Sequence, residues 1–148
     1  MVALYPPNAG LNVELHLDPD LPEVLGDPVK LRQVIHNLIK NAAEAMPQGR
    51  SGKMTIQTTF GVGFGTGNIA LRLSDDGPGI APEQAERIFE PYVTSKTKGT
   101  GLGLAIVRRI IEELGGQIKL DTAYRHGASF LITLPVAQPP TDVNDEQR

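Results

Sequence analysis

Three sets of residues have types and spacings that could do chemistry. Asn37, Asn41 and Glu44 recur at i, i+4 and i+7, so on a helix they form one ridge. Asparagine is a poor helix former, and two of them stacked at the margin of a buried face need partners. Amides bonded to a neighbouring loop would satisfy them. So would amide and carboxylate oxygens converging on a hard cation such as Mg²⁺, which takes oxygen ligands and is commonly shared with phosphates. The second set is SDDGPGI, residues 74–80. It is either a plain turn or a place where the Asp75 carboxylate accepts from an exocyclic amine such as that of adenine, with Gly77 and Gly79 keeping side chains out of the way. The third is TKGTGLGLAIV, residues 97–107, in which Gly99, Gly101 and Gly103 alternate into an apolar run. Glycine costs a helix about 0.5–1 kcal/mol relative to alanine. Two reasons would offset that: a hinge, or close approach of backbone N–H groups and the helix dipole to an anion such as phosphate.

These residues need elements to hold them. Val13, Leu15 and Leu17 alternate with polar neighbours, which is strand period. Asp27-Pro28 reads as an N-cap followed by proline at the first helical position, and Pro47 and Gly49 end the helix after Met46. At about 100° per residue, Leu31, Val34, Ile35, Leu38, Ala42, Ala45 and Met46 fill an arc of about 140°, the face that packs on a sheet; the Asn37–Asn41–Glu44 ridge lies beside it. KMTIQTTF (53–60) and NIALRLSD (68–75) alternate as strands around the loop GVGFGTG, which matches no dinucleotide fingerprint. A second helix runs from about Leu102 to Leu114 and stops at Gly115-Gly116. QIKLDTAY and SFLITLP, joined by a short turn at 125–127, make a closing hairpin. The expected architecture is α+β, a two-layer sandwich of about five strands and two long helices.

Composition narrows the function. The chain has 148 residues, enough for one domain with its own core, and no cysteine, which removes disulfides, thiolate metal sites and a cysteine nucleophile. His16, His36 and His126 are scattered without metal-ligand spacing. The net charge of −3 and the lack of a basic stretch speak against a nucleic-acid or anionic-membrane surface. No apolar run approaches the roughly 20 residues of a membrane span. The proline-bearing opening, 1–10, is expected to be a linker, 11–136 the folded domain, and the polar tail, 137–148, disordered.

The order of the motifs carries more than any one of them. HNLIKNAAEA (36–45), DDGPGI (75–80), IFEPYVTSK (88–96) and GTGLGLAIV (99–107) together resemble the ATP-binding catalytic domain of sensor histidine kinases, in the wider group that includes gyrase, Hsp90 and MutL. EPYVTSKTKGTGLGLAIV is most similar to the nitrogen-regulation kinases of the NtrY and NtrB type. The resemblance implies a Bergerat-type fold, a mixed and mostly antiparallel sheet covered on one face by helices. It implies that Asn41 ligates Mg²⁺, that Asn37 lies beside the phosphates, and that Asp75 bonds the adenine amino group against a turn formed by Gly77, Gly79 and Ile80. Residues 81–100 resemble a mobile lid anchored by Phe89 and Tyr92, with Lys96 reaching the terminal phosphates. Gly99, Thr100, Gly101, Leu102, Gly103 and Leu104 would line the phosphates, and Ser129 would stand near the base.

On this resemblance the chain is the catalytic domain of a two-component histidine kinase, monomeric by itself and belonging to a homodimeric parent. It would bind Mg·ATP and pass the γ-phosphate to a histidine on a separate dimerisation domain, for onward transfer to a response regulator. No histidine here sits in the family's acceptor pattern, so that acceptor lies elsewhere. The domain is expected in the cytoplasm, with a parent that could sit in the inner membrane. Two alternatives stand beside it: a free-standing serine kinase of the anti-sigma type, and a non-catalytic nucleotide-binding regulator. Glu44 departs from the basic residue that many relatives have at that position.

Overall fold

The computed structural model describes residues 11–18, 27–46, 52–60, 68–91 and 103–136. The elements are β1 (Leu11–His16), α1 (Pro28–Ala45), β2 (Gly52–Phe60), β3 (Asn68–Asp75), short 3₁₀ turns at Pro82–Gln84 and Arg87–Phe89, α2 (Gly103–Glu113), β4 (Gln117–Leu120) and β5 (Ser129–Pro135). The cap read from sequence is present: the Asp27 carboxylate accepts from the Val29 N–H at 2.9 Å, and Pro28 opens α1. At the other helix, the Gly116 N–H reaches back to the Ile111 carbonyl and the Gly115 N–H to that of Glu112, closing α2 on its orphan carbonyls.

The five strands lie in the order β1-β2-β3-β5-β4. β1 and β2 are parallel, with α1 as their crossover; the remaining neighbours are antiparallel. The expected α+β sandwich with a mixed, mostly antiparallel sheet is therefore the fold. Met54, Ile56, Leu73, Phe130, Ile132 and Leu134 present one face of the sheet to Val34, Leu38 and Ala42 of α1 and to Val107, Ile110 and Ile111 of α2, in one buried cluster. Ile39, outside the arc expected to be buried, is only 2% exposed. The physical reason is that α1 packs on α2 as well as on the sheet, and a helix with two neighbours buries a wider stripe than a helix with one.

The closing hairpin differs from expectation in one respect. β4 stops at Leu120 instead of continuing to residue 124. The Asp121 carboxylate accepts from the Ala123 N–H at 3.0 Å, an Asx turn that lifts the chain out of the sheet. The same carboxylate holds Arg72 at 2.7 Å. The β4–β5 connection consequently spans eight residues, 121–128, and that length lets it reach the end of β3.

Candidate functional site

Asp75 is the last residue of β3 and one of two buried polar side chains among the described residues, 6% exposed. Period 2 places it on the same sheet face as Leu73, opposite Met54. Its Oδ1 accepts from the Gly77 N–H at 2.9 Å and from the Ala128 N–H at 3.1 Å. Among the described residues Oδ2 makes no hydrogen bond. A buried carboxylate with one oxygen fixed and the other unmatched favours a ligand that brings a donor. Burial is the largest influence on its titration and pushes the carboxyl above the usual range; the amides of Ala128 and Gly77 pull it back, and the Asp76 charge adds to the rise.

The turn after Asp75 is tightly determined. Gly79 has φ +82°, and a Cβ there would come within 3.0 Å of the Gly127 carbonyl oxygen. At Gly77 an added Cβ would meet the Met46 methyl at 3.0 Å. Met46, the C-cap of α1, also lies against Gly52, so its thioether joins the end of α1 to the Asp75 turn. The Asp76 carboxylate accepts from the Lys53 N–H at 2.8 Å and pins the turn to β2. Ile80 is half-buried against the core, as is Leu104 in the first turn of α2.

On α1, Asn37 and Asn41 are half-buried and Glu44 is exposed. Asn41 and Glu44 each have a partner in the structure. Gly103 opens α2, and among the described residues beyond its own helical turn a Cβ there would meet no atom within 4 Å. Tyr92, Lys96, Gly99, Thr100, Gly101 and Leu102 lie outside the described residues, as do residues 92–100 of the expected lid, whose first part, 81–91, is described.

Ser129 is placed differently from the others. It pairs with Ser74, and the two hydroxyls are 2.8 Å apart, on the sheet face opposite the Asp75 carboxylate. Arg72 Nη1 donates to the Ser129 hydroxyl at 3.1 Å and to Asp121 at 2.7 Å. Ser129 is fully buried in that network and does not join Asp75. Its neighbour Ala128 does, through the main chain. Sequence reading missed Ala128 for that reason, since an amide donor leaves no residue-type signal. It also missed Tyr124, whose hydroxyl donates to the Asp75 carbonyl at 3.2 Å, and Met46, which reads as an ordinary core residue.

Residues 26–138 match the family described as histidine kinase-, DNA gyrase B- and HSP90-like ATPase. The chain is 46% identical over 116 residues to the sensor histidine kinase ZraS of Salmonella typhi, covering 78% of this chain and 24% of the relative. It thus spans about a quarter of that protein's length. Among solved structures, full-length ShkA in complex with AMPPNP superposes with a TM-score of 0.71 at 32% identity, over 88% of this chain and 27% of the other. Histidine kinase ThkA in complex with the response regulator protein TrrA gives a TM-score of 0.69 at 30% identity, over 86% and 34%.

Proposed function

The chain belongs to the histidine kinase-, DNA gyrase B- and HSP90-like ATPase family, and from that premise we propose that it is the catalytic domain of a two-component sensor kinase. It binds Mg·ATP and donates the γ-phosphate to a histidine on a separate dimerisation domain of a homodimeric parent, for onward transfer to a response regulator aspartate. The observation that carries the nucleotide reading is the Asp75 carboxylate, buried, held by two amides at Oδ1 and unmatched at Oδ2 among the described residues. Adenine offers an exocyclic amine to that oxygen; guanine presents a carbonyl at the equivalent place and is repelled. Ile80 and the Gly77–Gly79 turn form the wall for the base.

Among the described residues no group of three His, Cys, Asp or Glu could hold a metal by itself. A cation shared between one amide oxygen and phosphate oxygens suits this chain better, and Asn41, half-buried on α1, supplies such a hard donor. When bound, Mg²⁺ neutralises phosphate charge. Asn37 stands one turn earlier on α1, where an amide cannot take a proton from water. A phosphate beside it is kept for the protein acceptor, which is what phosphotransfer requires. Lys96 and the backbone of Gly99, Thr100, Gly101, Leu102 and Gly103 are assigned to the phosphates.

The resemblance of residues 90–107 to nitrogen-regulation kinases supports a parent of that type, and the need for ATP supports a cytoplasmic domain, whose parent could sit in the inner membrane. No described helix is long and apolar enough to cross a membrane. The serine-kinase and non-catalytic alternatives are less favoured, because the relatives include the sensor histidine kinase ZraS and the histidine kinase ThkA in complex with the response regulator protein TrrA. The test is phosphotransfer from ATP, in the presence of Mg²⁺, to an added dimerisation domain of the parent. Label on its histidine is the expected result; label on serine, or none, would overturn the reading.

A further inference from the structure

The residue that reads the base is held from fifty positions away. The Tyr124 hydroxyl donates to the Asp75 carbonyl at 3.2 Å, and the Asp75 N–H donates to the Ala128 carbonyl at 2.8 Å. The Ala128 N–H returns to Asp75 Oδ1 at 3.1 Å. Between them, a Cβ on Gly127 would overlap the Asp75 carbonyl group, so the two backbones touch. The connection is itself anchored: Asp121 grips Arg72 of β3 at 2.7 Å, and the Tyr124 ring packs edge-on against His126, with centroids 5.6 Å apart.

The geometry points to Tyr124 as a positioning residue for base selection, whose hydroxyl, through the Asp75 main chain, fixes the direction of the carboxylate that distinguishes adenine from guanine. This role rests on the nucleotide reading above. Discrimination between an amine and a carbonyl depends on the angle at which the acceptor oxygen is presented. An Asp75 backbone free to rotate would accommodate both bases more equally. Burial, with the Asp75 and Asp76 charges adding to it, lifts the phenol above its ordinary range, so the hydroxyl keeps its hydrogen at physiological pH. The aromatic ring is separable from this function, because Phe keeps the His126 contact and loses only the donor.

The experiment measures ADP and GDP dissociation constants, the weaker by competition, for the 148-residue chain and for Tyr124→Phe, with thermal unfolding of both. We expect ADP to weaken about three- to tenfold, the size of one neutral hydrogen bond, with GDP nearly unchanged, so that the selectivity ratio falls by the same factor. Equal weakening of both nucleotides assigns Tyr124 a purely structural role and overturns the inference, as does an unchanged ratio. The exchange rate of the Ala128 amide gives a second reading: it should rise in Tyr124→Phe and stay put if the hydroxyl does not hold Asp75. Failure of the unaltered chain to bind ADP would remove the nucleotide reading itself, and this role with it; ADP binding with an unchanged ratio removes this role alone.

Discussion

Asp75 and Ala128 are bonded in both directions: the Asp75 N–H donates to the Ala128 carbonyl at 2.8 Å, and the Ala128 N–H donates to the Asp75 carboxylate at 3.1 Å. This pairing keeps a carboxylate buried at the end of β3 where its ionised form is disfavoured. For an acid whose folded-state pKa is raised, the stabilising contribution is present at low pH and is lost as pH rises through the raised value. At neutral pH the charge therefore costs stability.

Asp75→Asn removes that cost and keeps an oxygen for both amides, while it replaces an acceptor with a donor facing the adenine amine. The expected outcome at pH 7 is a melting temperature no lower than that of the wild type. ADP binding should weaken by about 1.5–3 kcal/mol, the range for hydrogen bonds to charged groups. Calorimetry and thermal unfolding on the same samples test both; a lowered melting temperature with intact ADP affinity would contradict the assignment.

Asn41→Ala should abolish phosphotransfer to the dimerisation domain and leave the fold intact. Asn41 is half-buried beside the packed stripe, which is built by Val34, Leu38, Ile39 and Ala42. Far-ultraviolet circular dichroism and a phosphotransfer assay separate the two effects. Full activity in the variant would assign the metal to other oxygens.

ATP hydrolysis by the domain alone should be slow, well below the order of 1 per second at the low end of ordinary enzyme turnover. Asn37→Glu supplies a carboxylate able to act as general base and at the same time adds negative charge beside the triphosphate. Faster maximal turnover with weaker nucleotide binding is expected, measured at saturating Mg·ATP so that the affinity loss drops out. An unchanged or reduced maximal rate would remove Asn37 from its place beside the attacked phosphate.

The Arg72–Asp121 pair should make stability depend on pH in the acid range. The Arg72 hydrogen bond is the largest influence on Asp121 and holds its carboxyl below the usual value, aided by the Ala123 N–H. A lowered folded-state pKa contributes stability above the unfolded value, near 3.9 for aspartate. That contribution is lost as pH falls through the lower folded value. Asp121→Asn should thus melt below the wild type at pH 6, with the gap closing toward pH 3. A gap that is constant with pH would show that packing, and not charge, holds this corner.

Local signals were legible in the sequence because their causes are local. Asp27 and Pro28 start α1 through a cap and a preset φ, both written within a few residues. Alternation in 53–60 and 68–75 marks strands because successive side chains must point to opposite faces. The order of the segments 36–45, 75–80, 88–96 and 99–107 carries the resemblance to the ATPase family without any coordinate, because each is a short contiguous run.

What the tertiary structure decided are the pairings between distant segments. The parallel union of β1 with β2 depends on α1 returning the chain in one direction, and the depth of Ile39 depends on α2 arriving as a second neighbour. The register of β3 on β5 turns the Ser129 hydroxyl toward Ser74 and Arg72, and sets Ala128 against Asp75. A shift of one residue would exchange those roles, because side-chain direction has period 2. Such a register is chosen by the summed burial of Leu73, Phe130, Ile132 and Leu134 in a common core, a sum that exists only once the strands have met.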